Sequence, residues 1–301
     1  MNMKVDLCGV TLNNPVMTAS GTFGSGAEYS EFVDLNKLGG VVTKGVANVP
    51  WPGNPTPRVA EVYGGMLNAV GLQNPGIDLF VERDIPFLKQ FDTKIMVNVC
   101  GHSTEEYIEV VERLRDQPVD LLEINISCPN VKEGGIAFGQ DPKAVEAITK
   151  EMKKHAAQPV IMKLSPNVTD ITEMARAAEA GGADGLSLIN TITGMKIDIN
   201  RQEFVLANKT GGMSGPAIHP VAVRMVYQTA QAVRLPIVGM GGIMNAEDAI
   251  EMILAGATAV SVGTANFTNP HVTEEIVAGI RDYMERYQVA DIKDLVGAVH
   301  E

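Results

Sequence analysis

Short apolar segments rich in β-branched residues alternate with helical segments along the chain, and this alternation constrains the fold more than any other feature. We predict eight strands, at residues 16–20, 40–44, 94–99, 121–127, 160–164, 185–190, 236–240 and 259–263. The clearest helices are predicted at 104–115, 141–155, 171–180, 219–233 and 246–255. Strands that alternate with helices form parallel sheets with right-handed crossovers, and eight such units can close into a (β/α)8 TIM barrel.

An open doubly wound sheet is the alternative architecture. The barrel is preferred because no GxGxxG motif opens the first strand–helix unit. Residues 5–12 are expected to form an N-terminal hairpin against the barrel floor, and no linker divides the chain, so residues 1–301 are predicted to be a single domain. Two segments are too long for plain connections, 45–92 after strand 2 and 191–220 after strand 6. Both follow carboxyl ends of strands, where barrels carry their sites.

Charge and cysteine content narrow the class of protein. The net charge is −12, which argues against nucleic acid or an anionic membrane as the main partner. No apolar run approaches the ~18–20 residues that span a bilayer, and the N-terminal residues contain no apolar signal core. The three cysteines, Cys8, Cys100 and Cys128, lie far apart and form no ligand set for zinc or an iron–sulfur cluster. We therefore expect a cytoplasmic protein without a bound metal.

Polar side chains end most of the predicted strands. An isolated lysine or asparagine buried in an apolar strand costs several kcal/mol unless it is paired. Because the carboxyl ends of all eight strands meet at one rim of a barrel, these residues are predicted to line one functional site. The residues concerned are Ser20, Lys44, Asn98, Asn125, Lys163, Asn190 and Thr191.

Two glycine-containing pairs follow the last two strands and suggest an anion site. Gly241-Gly242 and Gly263-Thr264 offer bare backbone N–H groups beside helices predicted to start at Asn245 and after Thr264. This is where barrels commonly bind phosphate. Lys163 would then lie higher in the site, where it suits either the N1–C2=O region of a flavin or a Schiff base, and the residues alone do not separate these roles.

Cys128 follows a predicted buried strand and is flanked by Asn125 and Asn130. It could be a nucleophile, a general base or a small buried side chain. Cys8 and Cys100 are weaker candidates, and we expect His102 and His219 to be surface or capping residues.

Taken together, nine ordered motifs resemble the class 1 dihydroorotate dehydrogenases, and within them the 1B catalytic subunit. The resemblance extends over the whole chain. The motifs occupy residues 14–24, 43–46, 53–58, 68–76, 125–130, 163–167, 190–191, 211–216 and 239–243.

The resemblance implies an FMN enzyme that oxidises (S)-dihydroorotate to orotate in de novo pyrimidine synthesis. In the family a base removes the C5 proton while C6 delivers hydride to the flavin, and Cys128 occupies the position of that base. Residues 129–140 would form a lid. The residues implied to contact FMN are Ser20, Lys44, Gly45, Asn98, Asn125, Lys163, Ile189, Gly215, Gly241, Gly242, Gly263 and Thr264. Those implied to contact substrate are Lys44, Asn68, Ala69, Val70, Gly71, Leu72, Asn125, Asn190 and Thr191.

The resemblance to the 1B type also implies a partner. Class 1A enzymes, which are homodimers that use fumarate, typically have serine after the lysine that corresponds to Lys44, whereas this chain has Gly45. A 1B chain forms a homodimer core within a heterotetramer whose second subunit carries FAD and a [2Fe–2S] cluster and reduces NAD⁺. This chain has neither four clustered cysteines nor a dinucleotide fingerprint. The alternatives are a class 1A enzyme, a dihydropyrimidine-type FMN reductase, and a non-catalytic barrel that binds phosphate or acts as a scaffold.

Overall fold

The chain begins with the expected hairpin. A computed structural model describes residues 1–126 and 138–300. Strands β1 (Val5–Leu7) and β2 (Val10–Leu12) pair antiparallel around a turn that contains Cys8. A Cβ atom added at Gly185, where a barrel strand starts, would lie 2.7 Å from the Cys8 sulfur. The hairpin therefore packs against the amino end of the barrel, as the sequence predicts.

Eight parallel strands close into a barrel, which confirms the predicted fold class. Each pairs with the next, and the last pairs with the first, so no strand edge is left open. In order they are β3 (Val16–Thr18), β4 (Gly40–Val42), β7 (Lys94–Val99), β8 (Leu121–Asn125), β9 (Val160–Lys163), β10 (Gly185–Leu188), β15 (Ile237–Met240) and β16 (Ala259–Val262).

Helices surround the barrel, and the five that were predicted with bounds are present. The first segment consists of α1 (Ile77–Leu79), a π-helical turn (Phe80–Asp84) and α2 (Ile85–Leu88). The others are α3 (Thr104–Leu114), α4 (Pro142–His155), α5 (Ile171–Ala180), α6 (His219–Ala232), α7 (Ala246–Leu254), α8 (Ala265–Thr268) and α9 (Val272–Arg286). No helix in the described parts of the chain is both long and apolar enough to cross a bilayer.

The helices bury the faces that the sequence pattern marks as apolar. In α3, Ser103 accepts a hydrogen bond from the Glu106 N–H and caps the helix, while Tyr107, Val111 and Leu114 are buried against the barrel.

Several strands end one or two residues earlier than predicted. β3 stops at Thr18 and β4 at Val42, so Ser20 and Lys44 lie in the loops beyond them. Asn98, Asn125 and Lys163 remain within their strands, at the last residue or next to it.

The two long insertions pair with each other, which the sequence did not predict. The first contributes β5 (Val59–Val62) and β6 (Gly65–Asn68), and the second contributes β11 (Ile192–Met195) and β14 (Thr210–Ser214). They form one antiparallel sheet in the order β11-β14-β6-β5. The second insertion also carries the short pair β12 (Ile197–Asp198) and β13 (Glu203–Phe204). A small apolar cluster supports the sheet: Ala60, Leu67, Ala69 and Leu206.

Leu67 is expected to hold this insertion sheet together. It is 2% exposed, whereas Val59 on the adjoining strand is 48% exposed. Leu67→Ala should destabilise the sheet locally by about 2–5 kcal/mol, since it leaves a cavity in a small cluster. Limited proteolysis should then cut the segments around residues 59–68 and 192–214 faster than in wild type. Val59→Ala is the control, and equal cleavage of the two variants would contradict the assignment.

Candidate active site

A cavity of 340 Å³ opens at the carboxyl end of the barrel, between the strand ends and the insertion sheet. Its size is within the range of roughly 300–1,000 Å³ that is usual for small-molecule sites. The walls bring together residues from most of the barrel strands and both insertions. Predicted site residues in these walls are Ser20, Lys44, Gly45, Asn68, Ala69, Val70, Gly71, Leu72, Asn98, Asn125, Lys163, Ile189, Asn190, Thr191, Gly241, Gly242, Gly263 and Thr264.

A continuous polar network lies beneath the cavity. Lys163 Nζ donates a hydrogen bond to Ser20 Oγ at 2.9 Å and lies 3.5 Å from Glu123 Oε2. Asn98 Nδ2 donates to the same carboxylate oxygen at 2.5 Å. The Asn125 amide donates to Asn98 Oδ1 at 3.4 Å. Parallel pairing produces this grouping, because Asn98 is in register with Glu123, and Asn125 with Lys163.

Glu123 is the buried counter-charge that the sequence analysis did not single out. Its side chain is 0% exposed and also accepts a hydrogen bond from Ser187 Oγ at 2.7 Å. A buried carboxylate is tolerated only when it is paired and hydrogen-bonded, and here both oxygens have partners. In the sequence, Glu123 is an acidic residue within a predicted apolar strand, and this was the signal that could have pointed to a buried charge. The carboxylate fixes Lys163 and Asn98 relative to each other.

Backbone N–H groups form an anion cradle on one side of the cavity. Gly241 and Gly242 have φ angles of +129° and +69°, which only glycine adopts readily. Within residues 1–126 and 138–300, no protein acceptor is found for the N–H groups of Gly241, Gly242, Gly263 and Thr264. All four residues are partly exposed and line the cavity. Successive backbone N–H groups that converge in this way form anion-binding concavities, so the arrangement indicates a site for an anion.

Gly215 lies behind this cradle and is not among the residues that line the cavity. Its carbonyl oxygen would be 2.7 Å from a Cβ atom added at Gly242. The neighbouring Ser214 does reach the cavity wall, and its hydroxyl accepts a hydrogen bond from Thr264 Oγ1 at 2.7 Å. Gly215 therefore supports the cradle by close backbone packing rather than by facing the cavity.

The opposite wall consists of loop segments whose backbone carbonyls accept hydrogen bonds from asparagine side chains. Asn54 Nδ2 donates a hydrogen bond to the Ala69 carbonyl at 3.0 Å, which holds the loop segment that follows β6. Asn74 donates to the Leu72 carbonyl at 2.8 Å. Asn167, in the loop after β9, donates from Nδ2 to the carbonyl of Thr191, the first residue of the second insertion, at 3.0 Å. These bonds stabilise the loops that carry Asn68 and Thr191, the residues predicted to contact substrate.

The cavity is cationic although the chain is acidic overall. Two lysines, Lys44 and Lys163, lie in its walls, and no aspartate or glutamate is among the described residues that line it. One carboxylate, Glu123, lies beneath and is 3.5 Å from Lys163. The arrangement favours a ligand that carries more than one negative group, with one group at the cradle and another near Lys44.

Comparisons with known proteins agree with this geometry. The family profile described as Dihydroorotate dehydrogenase matches residues 2–284. The chain is 72% identical to a protein of Lachnoclostridium phytofermentans named dihydroorotate dehydrogenase B (NAD(+)), catalytic subunit, over 99% of this chain and 100% of that protein. Proteins of the same name from Alkaliphilus metalliredigens and Geobacter sulfurreducens are 64% and 55% identical, each over 99% of this chain and at least 98% of their own length.

The chain belongs to the dihydroorotate dehydrogenase family. Membership confirms the resemblance that the sequence motifs indicated. The roles of the individual residues in this dihydroorotate dehydrogenase remain predictions, and the predicted base Cys128 lies outside the described residues, as does most of the predicted lid at 129–140.

The two described cysteines are both shielded from solvent to different degrees, and a raised pKa is given by the structure for Cys8. Burial, with help from Asp184 and Asp6, raises the pKa of Cys8 from 9.0 to about 12, and Cys8 lies at the far end of the barrel from the cavity. Cys100 is 0% exposed.

His102 is exposed and stacks on Trp51. His219, expected to be a surface or capping residue, is the first residue of α6 and is 7% exposed, because the first turn of α6 packs on the loop after β15.

Removing the buried carboxylate of Glu123 should destabilise the folded chain strongly. Glu123→Ala leaves the Lys163 charge and the Asn98 amide without their shared partner, which is expected to cost about 3–5 kcal/mol in the free energy of unfolding. Urea unfolding followed by circular dichroism measures the loss. Glu203→Ala, at an exposed position in β13, should change stability by less than about 0.5 kcal/mol. Equal unfolding midpoints for the two variants would rule out a buried ion pair here.

Cys8 should resist alkylation in the folded protein. A rise in pKa from 9.0 to about 12 lowers the thiolate fraction near neutral pH by about a thousandfold. Iodoacetamide at pH 8, followed by peptide mass spectrometry, should therefore label Cys8 about 10³-fold more slowly in the native chain than in urea. Comparable native and denatured rates would show that the Cys8 thiol is not held neutral.

Proposed function

We propose that this chain is the catalytic subunit of an NAD⁺-linked dihydroorotate dehydrogenase. It would oxidise (S)-dihydroorotate to orotate, a step of pyrimidine synthesis, with FMN as resident cofactor. Residues 1–301 would act as one catalytic domain. The observation that carries the proposal is one cavity with two lysines in its walls and, on one side, backbone N–H groups that have no acceptor among the described residues.

The residues present fit FMN. A phosphate group would satisfy the unpaired N–H groups at the cradle formed by Gly241, Gly242, Gly263 and Thr264. In the same cavity the hydroxyl of Ser261 is buried and has no hydrogen-bond partner within the described residues. Lys163, Asn98 and Asn125 would lie beside the ring system. When bound, FMN supplies the acceptor for a hydride.

The chain's own residues would orient the substrate. Dihydroorotate carries a carboxylate and a ring edged with amide N–H and C=O groups. Lys44 is the cation suited to the carboxylate, and the side chains of Asn68, Asn125 and Asn190 can each donate to and accept from the ring edge. Tyr107 donates a 2.5 Å hydrogen bond to the Asn125 carbonyl, which stabilises the end of β8.

Cys128 is proposed as the general base. In the sequence it comes three residues after Asn125, the last residue of β8, which lines the cavity. Its thiolate would take the C5 proton as C6 loses hydride, and it would form no covalent bond with the substrate. Closure of the 129–140 segment would exclude water from the reacting groups.

Electron transfer onward would require a second subunit. The relatives are named catalytic subunits of NAD⁺-linked enzymes. We propose a partner with FAD and a [2Fe–2S] cluster, in a heterotetramer built on a homodimer of this chain. The chain itself offers no cluster of four cysteines and no dinucleotide-binding fingerprint.

Replacing Cys128 should slow flavin reduction. Cys128→Ala should lower the anaerobic rate of flavin bleaching by dihydroorotate by about 10²–10⁴-fold at neutral pH, because the C5 proton loses its acceptor. Stopped-flow absorbance measures the rate. Cys8→Ala is the matched control and should react at the wild-type rate. A Cys128→Ala protein that bleaches as fast as wild type would remove Cys128 from the mechanism.

The isolated chain should complete only the first half of the reaction. Purified alone, it should reduce its flavin with dihydroorotate but form no NADH from NAD⁺ and turn over no fumarate. Orotate, NADH and succinate are each measured by chromatography. Fumarate turnover by the isolated chain would favour the class 1A alternative, and reduction of uracil with NADPH would favour the dihydropyrimidine-type enzyme.

A further inference from the structure

We propose that His219 is a positioning residue for the phosphate cradle. The proposal rests on the function proposed above, and it concerns a side chain that lies behind the cavity wall and would not touch the cofactor. His219 is the first residue of α6 and is 7% exposed. The imidazole would fix the peptide between Gly241 and Gly242 so that an N–H group faces the phosphate.

The hydrogen bond to Gly241 determines the direction of that peptide. His219 Nδ1 lies 2.8 Å from the Gly241 carbonyl oxygen. A carbonyl oxygen can only accept, so Nδ1 carries the proton and donates. In a trans peptide the N–H group points opposite to the C=O group. Since the carbonyl points back to the imidazole, the Gly242 N–H points away from it, toward the cavity that both glycines line.

The other edge of the imidazole is also fixed. Nε2 lies 3.2 Å from Glu251 Oε2 and 3.9 Å from Asp248 Oδ1, both on α7. Asp248 is held in turn, because its carboxylate accepts a hydrogen bond from the Met244 N–H at 2.8 Å. With both edges engaged, the ring cannot rotate away from Gly241 without breaking a contact to α7.

The backbone of α6 supports the same loop independently of the imidazole. A Cβ atom added at Gly242 would lie 2.8 Å from the His219 Cβ and 2.9 Å from its nitrogen. One added at Gly241 would lie 2.7 Å from the Ala222 Cβ. Truncation of His219 to alanine therefore keeps this packing and removes only the imidazole, so the variant reports on the ring's hydrogen bonds.

A matched pair of amide variants separates the two edges of the ring. The Asn side chain places its NH₂ group where Nδ1 lies, so His219→Asn can still donate to the Gly241 carbonyl. The longer Gln side chain places its amide where Nε2 lies, so His219→Gln can reach Glu251 but not Gly241. A cradle-positioning role predicts that Asn rescues and Gln does not.

Comparison of two flavins isolates the phosphate. Riboflavin has the ring and ribityl chain of FMN but lacks the phosphate. The full-length wild type and the His219→Ala, His219→Gln and His219→Asn variants would be freed of flavin and titrated with FMN and with riboflavin. Quenching of flavin fluorescence gives each Kd, and circular dichroism and the thermal midpoint of each apoprotein report on folding.

The expected result is a loss specific to FMN. His219→Ala and His219→Gln should weaken FMN binding at least tenfold and change riboflavin binding less than threefold, while His219→Asn should bind FMN within threefold of wild type. Equal weakening of both flavins, or unchanged FMN binding in His219→Gln, would overturn the proposal. A wild-type chain that does not prefer FMN to riboflavin would instead refute the cofactor assignment, and the positioning role with it.

Discussion

Closure of the parallel barrel is the constraint on which the rest of the molecule depends. Because β16 pairs with β3, all eight strands present their carboxyl ends at one rim, and side chains far apart in the sequence become neighbours. The parallel register of β7, β8 and β9 places Glu123 between Asn98 and Lys163. Closure brings Ser20, after β3, within hydrogen-bond distance of Lys163. A buried lysine and a buried glutamate are each costly alone, and they are tolerated here because the register makes them partners.

The rim is completed by structure that belongs to neither the strands nor the helices of the barrel. Two insertions, 45–92 and 191–220, pair through β6 and β14 and raise a wall above the strand ends. This wall carries Asn68 and Thr191, whereas the barrel carries the lysines and the glycine cradle. The cavity therefore exists only where both parts are folded, and asparagine side chains hold its loops in addition to the small apolar cluster under the insertion sheet.

Much of the fold follows from local sequence patterns. The eight strands and five of the helices were predicted within one or two residues at most ends, because apolar periodicity and helix caps are local properties, whereas α9 was not predicted. The polar residues at strand ends were grouped correctly because parallel strands share one rim. The nine motifs, in their order and spacing, indicated the correct family.

What sequence patterns did not reveal depends on pairing between distant segments. The β6–β14 ladder joins residues about 145 positions apart, such as Asn68 and Gly212, and neither strand has a strong local pattern. The role of Glu123 depends on two neighbouring strands, and the burial of His219 depends on the close packing of α6 against Gly242. The resemblance implies that Gly215 contacts FMN; in the structure it is not among the described residues that line the cavity, and its carbonyl packs against Gly242.

The most direct test of the account is an anaerobic single turnover of the flavin-loaded full chain. The protein is mixed with excess (S)-dihydroorotate, and flavin absorbance and product are measured in the same sample. With dihydroorotate, the flavin should bleach completely and one orotate should form per flavin. With dihydrouracil, which lacks the carboxylate that Lys44 is proposed to bind, the flavin should not bleach. Equal bleaching by dihydrouracil, or an oxidised flavin that persists with dihydroorotate, would contradict the account.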